Sequence, residues 1–164
     1  MSKQALSLNG DECVFPYPGG KARLADWVIE HTASHKLYSE PFGGAASVLF
    51  SKPVSNVEVY NDVDDNIVQF FRVLRNRPAE LKAWLERVPF ARSLLDEWAT
   101  AFYDGDYPDD EIERAGRFFA LRYLQFNAKA DQKSGFAAVG NGDYNQARVF
   151  RNAVDALDKF AHRL

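Results

Sequence analysis

The sequence has a single cysteine, Cys13, and no group of cysteine and histidine residues has the spacing of metal ligands. One cysteine excludes an internal disulfide, and the missing ligand pattern excludes a zinc-type site. Long apolar runs are absent as well, since none approaches the roughly 20 residues that a membrane span requires. Residues 1–11 are polar and lack the apolar stretch of a secretory signal. We therefore expect a cytoplasmic protein with no metal and no membrane partner.

An excess of positive charge is also missing, because the net charge of the chain is −3. A nucleic-acid partner would therefore have to be met by a local basic face. The hydrophobic content of 46% and the aromatic content of 14% are those of a globular protein, not of a disordered one. A length of 164 residues predicts one domain with a substantial core.

The central feature of the sequence is a glycine pair that joins an extended run to a helix. Residues 36–42 are extended, the glycines at 43–44 follow, and small residues after them predict a helix start. A second extended run, 56–62, ends on Asp62, 18 residues after the second glycine. In Rossmann-like units an acid about 20 residues beyond the glycines binds a ribose, so the pattern predicts an adenosine-type cofactor. The alternative is a purely structural turn.

A rigid loop precedes this unit. Two prolines and two glycines within residues 16–20 exclude a helix there, and the loop presents Tyr17 and ends at Lys21. The loop resembles a phosphate cradle, but the Gly-x4-Gly-Lys-Ser/Thr spacing of a P-loop is absent. The alternative interpretation is a turn before a helix, with a solvated lysine.

Helical periodicity predicts that most of the remaining chain is helical. The expected helices span residues 22–32, 45 to the residue before Pro53, 65–76, 78–88, 93–103, 109–125 and 146–162. Asp62 or Asp64 can cap the third of them. Phe118 and Phe119 are interpreted as core residues, and residues 127–145 as a loop or an irregular hairpin.

Two parallel strands are predicted, and a sheet of two strands leaves its edges open. We therefore expect the chain to be the first part of a larger α/β fold, either truncated or completed by another chain.

Three motifs occur in a fixed order: Phe15-x-Tyr17-x-Gly-Gly-Lys21, then Glu40-Pro-Phe-x-Gly44, then Tyr60-Asn-Asp62. In this order and at these spacings the chain resembles Dam-type, or D12-class, N6-adenine DNA methyltransferases, which use S-adenosylmethionine. Residues 122–127 and the loop behind them resemble the start of that family's DNA-recognition hairpin. The resemblance covers about residues 14–145.

The resemblance implies an α/β, Rossmann-like S-adenosylmethionine-dependent methyltransferase fold with an incomplete parallel sheet and a helical DNA-recognition insertion. Residues 1–77 would bind the cofactor, and residues 78–145 would form the helical target-recognition region, with a loop or hairpin at 126–145. Residues 146–164 would form a helix that returns to the methyltransferase domain.

The resemblance also implies the site residues. It places Tyr17 and Lys21 at the methionine end of the cofactor, with Glu40, Phe42 and Gly44 beneath the cofactor and Asp62 at the ribose hydroxyls. Lys21 would meet the methionine carboxylate. Glu40 would accept hydrogen bonds from the turn or from the ammonium group, with a purely structural acceptor as the alternative. The partner is double-stranded DNA, with Asn127, Lys129 and Lys133 as the expected contacts.

The sequence departs from the family in three ways. Ala46 and Ala128 stand where the family usually has glycine, and Asp131 and Gln132 lie where a basic residue is expected. No two of the seven prolines are adjacent, so the 164 residues lack the family's Asp-Pro-Pro-Tyr tetrapeptide. In the family that tetrapeptide binds the flipped adenine and activates its amine. We therefore expect no catalytic residue in this chain and a catalytic segment on a second chain or a lost C-terminus.

One alternative function stays open. A catalytically inactive, truncated or split fragment would act as a cofactor- and DNA-binding module, binding DNA weakly through Arg148, Arg151 and the 126–145 loop. A nicotinamide-dependent oxidoreductase is disfavoured, because Gly-x-Gly-x-x-Gly is absent.

Overall fold

The computed structural model describes residues 13–128, 132–137 and 145–164. These residues form two strands, β1 (Leu37–Glu40) and β2 (Val57–Tyr60). The helices are α1 (Ala25–Glu30), α2 (Ser47–Ser51), α3 (Asp65–Asn76), α4 (Pro78–Glu86), α5 (Arg92–Tyr103), α6 (Glu111–Leu124), α7 (Gln146–Asp155) and α8 (Leu157–Ala161). Short 3-10 helices cover Ala22–Leu24 and Phe126–Ala128. The described residues thus have an α/β architecture with a small parallel sheet and mostly helices.

The sheet is a single parallel pair among the described residues. Leu37 lies opposite Val57, and Glu40 lies opposite Tyr60, with α2 as the crossover between the strands. Side chains alternate between the two faces of a strand. Glu40 and Tyr60 are partly buried on one face, whereas Leu37, Val57 and Val59 on the other face are 46–59% exposed. Because the strands are parallel and Glu40 lies opposite Tyr60, both strands end at the same edge of the sheet.

Local sequence signals explain where the helices begin. The Asp64 side chain caps α3 by accepting the backbone N–H of Asn66 at 2.9 Å, which confirms one of the two predicted caps. Proline stands at the first position of α4, where its missing N–H costs nothing. Asp110 caps α6 by accepting the N–H of Glu113 at 2.8 Å. The predicted bounds of α3, 65–76, are those of the structure.

Helix α6 is the centre of the core and packs against α3, α4, α5 and α7. Phe118 and Phe119 are almost fully buried, which confirms their prediction as core residues. Their rings pack with Phe15 and Phe70, with Phe15 and Phe118 centroids 5.3 Å apart and Phe70 and Phe119 centroids 5.6 Å apart. One hydrophobic cluster runs from Val14 to Phe160, so the loop before the sheet shares a core with the helices.

The prediction of one continuous helix over 146–162 is wrong. The structure has two helices there, α7 and α8, separated at Ala156. Helix α8 places the Phe160 ring against Phe50 of α2, with centroids 4.9 Å apart. The predicted helix over 22–32 is also shorter, because it begins as a 3-10 turn and ends at Glu30.

Candidate functional site

The carboxyl ends of the two strands are held together by hydrogen bonds to the glycine pair from the backbone and side chains that end β2. We call residues 43–46 the Gly turn. The N–H of Gly43 donates to the carbonyl of Asn61 at 3.0 Å, and the N–H of Gly44 donates to Asp62 Oδ2 at 2.8 Å. The hydroxyl of Tyr60 donates to the carbonyl of Gly44 at 2.5 Å. Three consecutive residues at the end of β2 therefore fix the turn that follows β1.

Gly43 is required by the close approach of Tyr60. An ideal Cβ on Gly43 would lie 2.2 Å from Cε2 of Tyr60, far inside any normal contact. The Tyr60 ring itself packs edge-on against Phe71, with centroids 4.9 Å apart. Burial of Tyr60, followed by the nearby Asp62 carboxylate, raises the pKa of its hydroxyl. The phenol therefore stays a hydrogen-bond donor to the turn.

The Gly turn also contains a residue other than glycine in the left-handed region. Ala46 has φ 55° and is fully buried, and its N–H donates to the carbonyl of Gly43 at 2.9 Å. The sequence departs from the family pattern at this residue, where glycine is usual. Alanine in this region is strained by contacts of its Cβ, so the surrounding contacts must hold it there. Asn127 and Ala128 have positive φ as well.

Two clefts flank the Gly turn. The first, of about 390 Å³, is lined by Lys21, Tyr38, Glu40, Phe42, Gly43 and Ser47 among others. The Tyr38 hydroxyl donates to Glu40 Oε1 at 2.5 Å. Burial raises the pKa of Glu40 above its ordinary 4.5, opposed by the hydrogen bond from Tyr38, the backbone of Leu49 and the charge of Lys21. This cleft therefore combines an ammonium and a partly buried carboxylate.

The second cleft, of about 360 Å³, lies on the other side of Ser47. It is lined by Tyr17, Gly19, Gly20, Ala45 and Ser47, with other residues of the rigid loop. The N–H of Gly20 donates to the carbonyl of Tyr17 at 2.9 Å, which closes the loop into a turn. A Cβ on Gly44 would lie 3.3 Å from the Tyr17 ring, so the rigid loop and the Gly turn are in contact.

Asp62 has a structural role that the sequence did not indicate. Its Oδ2 accepts the N–H of Gly44, and its Oδ1 accepts the N–H of Asp64 at 3.0 Å. Each carboxylate oxygen has a second lone pair, so these bonds leave acceptor capacity for a ligand. The structure thus brings the six predicted cofactor residues to the Gly turn and the two clefts beside it.

A larger cleft, of about 480 Å³, lies at the opposite ends of the strands. Its lining includes His35, Lys52 and residues 53–55, which precede β1 and β2. Lys52 is already engaged by Glu58 and by the carbonyl of Pro53. Ligands of open α/β sheets bind beyond the carboxyl ends of the strands. The Gly turn, and not the larger cleft, is therefore the candidate site.

The predicted DNA contacts lie elsewhere. Gln125 and Phe136 form an antiparallel bridge, and the N–H of Phe126 donates to the carbonyl of Gly135 at 2.7 Å. Lys133 forms an exposed ion pair with Asp96, with Nζ 3.0 Å from Oδ1. Lys129 lies outside the described residues, as do 130–131 and 138–144 of the predicted hairpin.

Arg151, which the alternative function assigns to DNA, makes contacts within the protein. It donates to the carbonyl of Glu86 at 2.7 Å and to that of Val88 at 2.9 Å. These carbonyls lie at and just beyond the end of α4, where cations are favourable. The side chain therefore joins α7 to the end of α4.

Sequence reasoning missed three residues of the site: Tyr38, Ser47 and Tyr60. Tyr38 could have been found, because it lies two residues before Glu40 and therefore on the same face of β1. Tyr60 is part of the third motif, but only the fold shows that its hydroxyl reaches the Gly turn. Nothing in the sequence separates Ser47 from an ordinary helix-start serine.

Among the described residues no group of three or more acidic, histidine or cysteine side chains is arranged to hold a metal ion. Within the same residues, no helix is both long enough and apolar enough to cross a bilayer.

A strand, a glycine turn and an acid at the end of the next strand together form the candidate site. A model of the family D12 class N6 adenine-specific DNA methyltransferase matches residues 17–162. The chain therefore belongs to the D12 class of N6 adenine-specific DNA methyltransferases, which confirms the family that the motifs suggested. No curated protein matches the chain.

Proposed function

We propose that this chain is the cofactor-binding and target-recognition part of a site-specific DNA adenine methyltransferase. Its fold would be Rossmann-like, and its cofactor would be S-adenosylmethionine, which supplies an electrophilic methyl group for the N6 amine of adenine. The observation that carries the proposal is the meeting of Lys21, Glu40 and the Asp62-bound Gly turn at one sheet edge. Family membership supports the reaction class.

The residues present fit this cofactor. A methionine moiety carries one carboxylate and one ammonium, and the first cleft offers Lys21 and Glu40 as their complements. Gly43 lines the first cleft, and its missing side chain lets the Tyr60 ring pack against the Gly turn and hold it beside the cleft. The free lone pairs of Asp62 suit the ribose hydroxyls. Tyr17 bounds the second cleft, and the ring of Phe42, 74% exposed, borders the first.

Target recognition would use the helical region 78–145. We propose contacts to double-stranded DNA from Asn127, Lys129 and Lys133. Of these, Asn127 and Lys133 lie near the bridge between Gln125 and Phe136. Lys133 would exchange its exposed ion pair with Asp96 for a phosphate, and such exposed pairs cost little to break. The catalytic Asp-Pro-Pro-Tyr segment would come from polypeptide outside the 164 residues, on the same or on a second chain.

Cofactor binding is tested by the thermal unfolding of the chain with and without S-adenosylmethionine. At 100 times its Kd a ligand stabilises the folded state by about 2.7 kcal/mol, so we expect Tm to rise by several degrees. NAD should leave Tm unchanged. Lys21→Ala should reduce the shift, whereas Lys82→Ala, which removes a surface partner of Asp158, should not. A shift with NAD, or an equal shift in Lys21→Ala, would contradict the assignment.

Asp62→Ala is a less specific variant than Lys21→Ala. It removes the proposed ribose acceptor together with the bonds to Gly44 and Asp64. Loss of binding in that variant would therefore not separate the two roles. A methylation assay with the catalytic segment supplied separates an enzyme part from an inactive binding module, because only the first transfers a methyl group.

The proposed role of Glu40 predicts a pH dependence of cofactor affinity. The carboxyl must be ionised to accept an ammonium N–H, and burial raises its pKa above 4.5. Affinity for S-adenosylhomocysteine should therefore rise as pH increases through the pKa of Glu40, with proton release on binding. The stability of the folded protein changes in the opposite direction. A raised carboxyl pKa favours the folded state at low pH, and this contribution to stability is lost as pH rises. A change in stability at Glu40 therefore cannot produce an affinity that rises with pH.

Isothermal titration between pH 5 and pH 8, in buffers of different ionisation enthalpy, measures this proton release. Glu40→Gln should bind more weakly and lose the pH dependence. An unchanged pH profile in Glu40→Gln would show that another group is responsible.

A further inference from the structure

Ser47 is a buried polar residue whose hydroxyl has no partner among the residues that the structure describes. The residue is 3% exposed, and its Oγ makes no hydrogen bond within the described part of the chain. A buried hydroxyl without a partner loses the hydrogen bonds it had with water, so each such group requires an explanation. Within residues 13–128, 132–137 and 145–164, the other unpartnered buried side-chain atoms belong to Gln69 and Arg122, and neither residue lines a cleft at the Gly turn.

Ser47 lies where the two clefts meet. The residue lines the first cleft, which holds Lys21 and Glu40, and also the second cleft, which holds Tyr17. A ligand that extends between the two clefts would pass Ser47. The Glu40 carboxylate already accepts from Tyr38, and its remaining lone pairs suit an ammonium. Lys21, a cation, suits an anion, and a hydroxyl beside it can donate to the same anion.

We propose that Ser47 Oγ donates a hydrogen bond to the carboxylate of the cofactor's methionine moiety and so selects ligands that carry an amino-acid group. This inference rests on the proposed function. Lys21 would provide charge, and Ser47 would provide a hydrogen-bond donor to the same carboxylate. Hydrogen bonds to a charged group are the stronger ones, and a site that offers such a donor rejects ligands that lack the acceptor.

The proposal predicts opposite effects of Ser47→Ala on the free protein and on binding. Without ligand, removal of an unpaired hydroxyl and the higher helix propensity of alanine should leave Tm equal or raised. Affinity for S-adenosylhomocysteine should fall about tenfold, the loss expected for a hydrogen bond to a charged group. Affinity for 5′-methylthioadenosine, which has no amino-acid group, should stay the same.

Titration of both ligands into the wild-type and variant chains gives the four affinities. Ser51→Ala, at the other end of α2, is the matched control and should change none of them. An equal loss for both ligands would show that Ser47 acts through the turn, and no loss for either would remove its role; both results overturn the proposal. If the wild type bound neither ligand, the proposed function would fail first. If the wild type bound 5′-methylthioadenosine as tightly as S-adenosylhomocysteine, the proposed cofactor would be retained. The proposal that Ser47 selects ligands with an amino-acid group would be rejected.

Discussion

Gly43→Ala is expected to destabilise the protein and to remove cofactor binding. The new Cβ would lie 2.2 Å from Cε2 and 2.6 Å from Cδ2 of Tyr60, and normal contacts are longer than 3.0 Å. The ring cannot move away freely, because Phe71 packs against it and its hydroxyl is bonded to Gly44. Overpacking of this kind costs about 1–3 kcal/mol. The steric conflict would be relieved by displacement of the Gly turn, and this turn carries the proposed ligand contacts.

Urea unfolding and titration with S-adenosylhomocysteine measure the two effects. The control is Gly135→Ala, because a Cβ there meets nothing within 4 Å, and both quantities should be unchanged. A second variant identifies the cause. In Gly43→Ala/Tyr60→Leu the ring is absent, so the combined loss of stability should be smaller than the sum of the single losses. If the losses of stability in the two single variants were additive, the new methyl group would destabilise the protein through a contact other than the Tyr60 ring.

The strand, turn and helix at the site could be predicted because their signals are local. Residues 36–42, the glycine pair and Asp62 follow one another in the sequence, and parallel strands place their carboxyl ends together. The helix α3 was predicted to the residue, since its cap and its apolar spacing are both within the segment. Such signals report what a segment prefers before it meets the rest of the chain.

The contacts that fix the site could not be predicted, because they join distant residues. The hydroxyl of Tyr60 reaches the carbonyl of Gly44, 16 residues away, and no periodicity specifies that pairing. Asp62 was predicted as a ribose acceptor, and its two bonds to backbone N–H groups appear only in the folded chain. The break at Ala156 was not predicted either, since the apolar spacing continues through it.

Glu58→Gln is the second substitution with a large expected effect. Burial alone would raise the pKa of Glu58, but hydrogen bonds from Arg163, Lys52 and the N–H of Ser55 hold it at about 2. The side chain of Lys52 is 4% exposed, so the variant leaves a buried cation without its counter-charge. Breaking a buried pair on one side costs about 3–5 kcal/mol. We expect the free energy of unfolding at pH 7 to fall by about 3 kcal/mol.

The pH dependence of stability distinguishes this network from simple packing. Because the folded pKa of Glu58 is depressed, its contribution is present above the ordinary value of 4.5 and is lost as pH falls towards 2. That depression corresponds to roughly 3 kcal/mol. Urea unfolding between pH 3 and pH 7 should therefore show a steep loss of stability in the wild type and a flatter profile in Glu58→Gln.

Glu80→Gln provides the matched control for this charge removal. Glu80 also pairs with an arginine, Arg77, but both side chains are well exposed, at 58% and 40%, and such pairs contribute little. The control should retain the wild-type profile.

The network also holds the end of the chain. Arg163 donates to the carboxylate of Glu58 in β2 and to the carbonyl of Leu49 in α2, and both residues lie more than 100 positions earlier in the sequence. If Glu58→Gln were as stable as the wild type, the end of α8 would be held by the contact of Phe160 with Phe50 of α2 and not by charge.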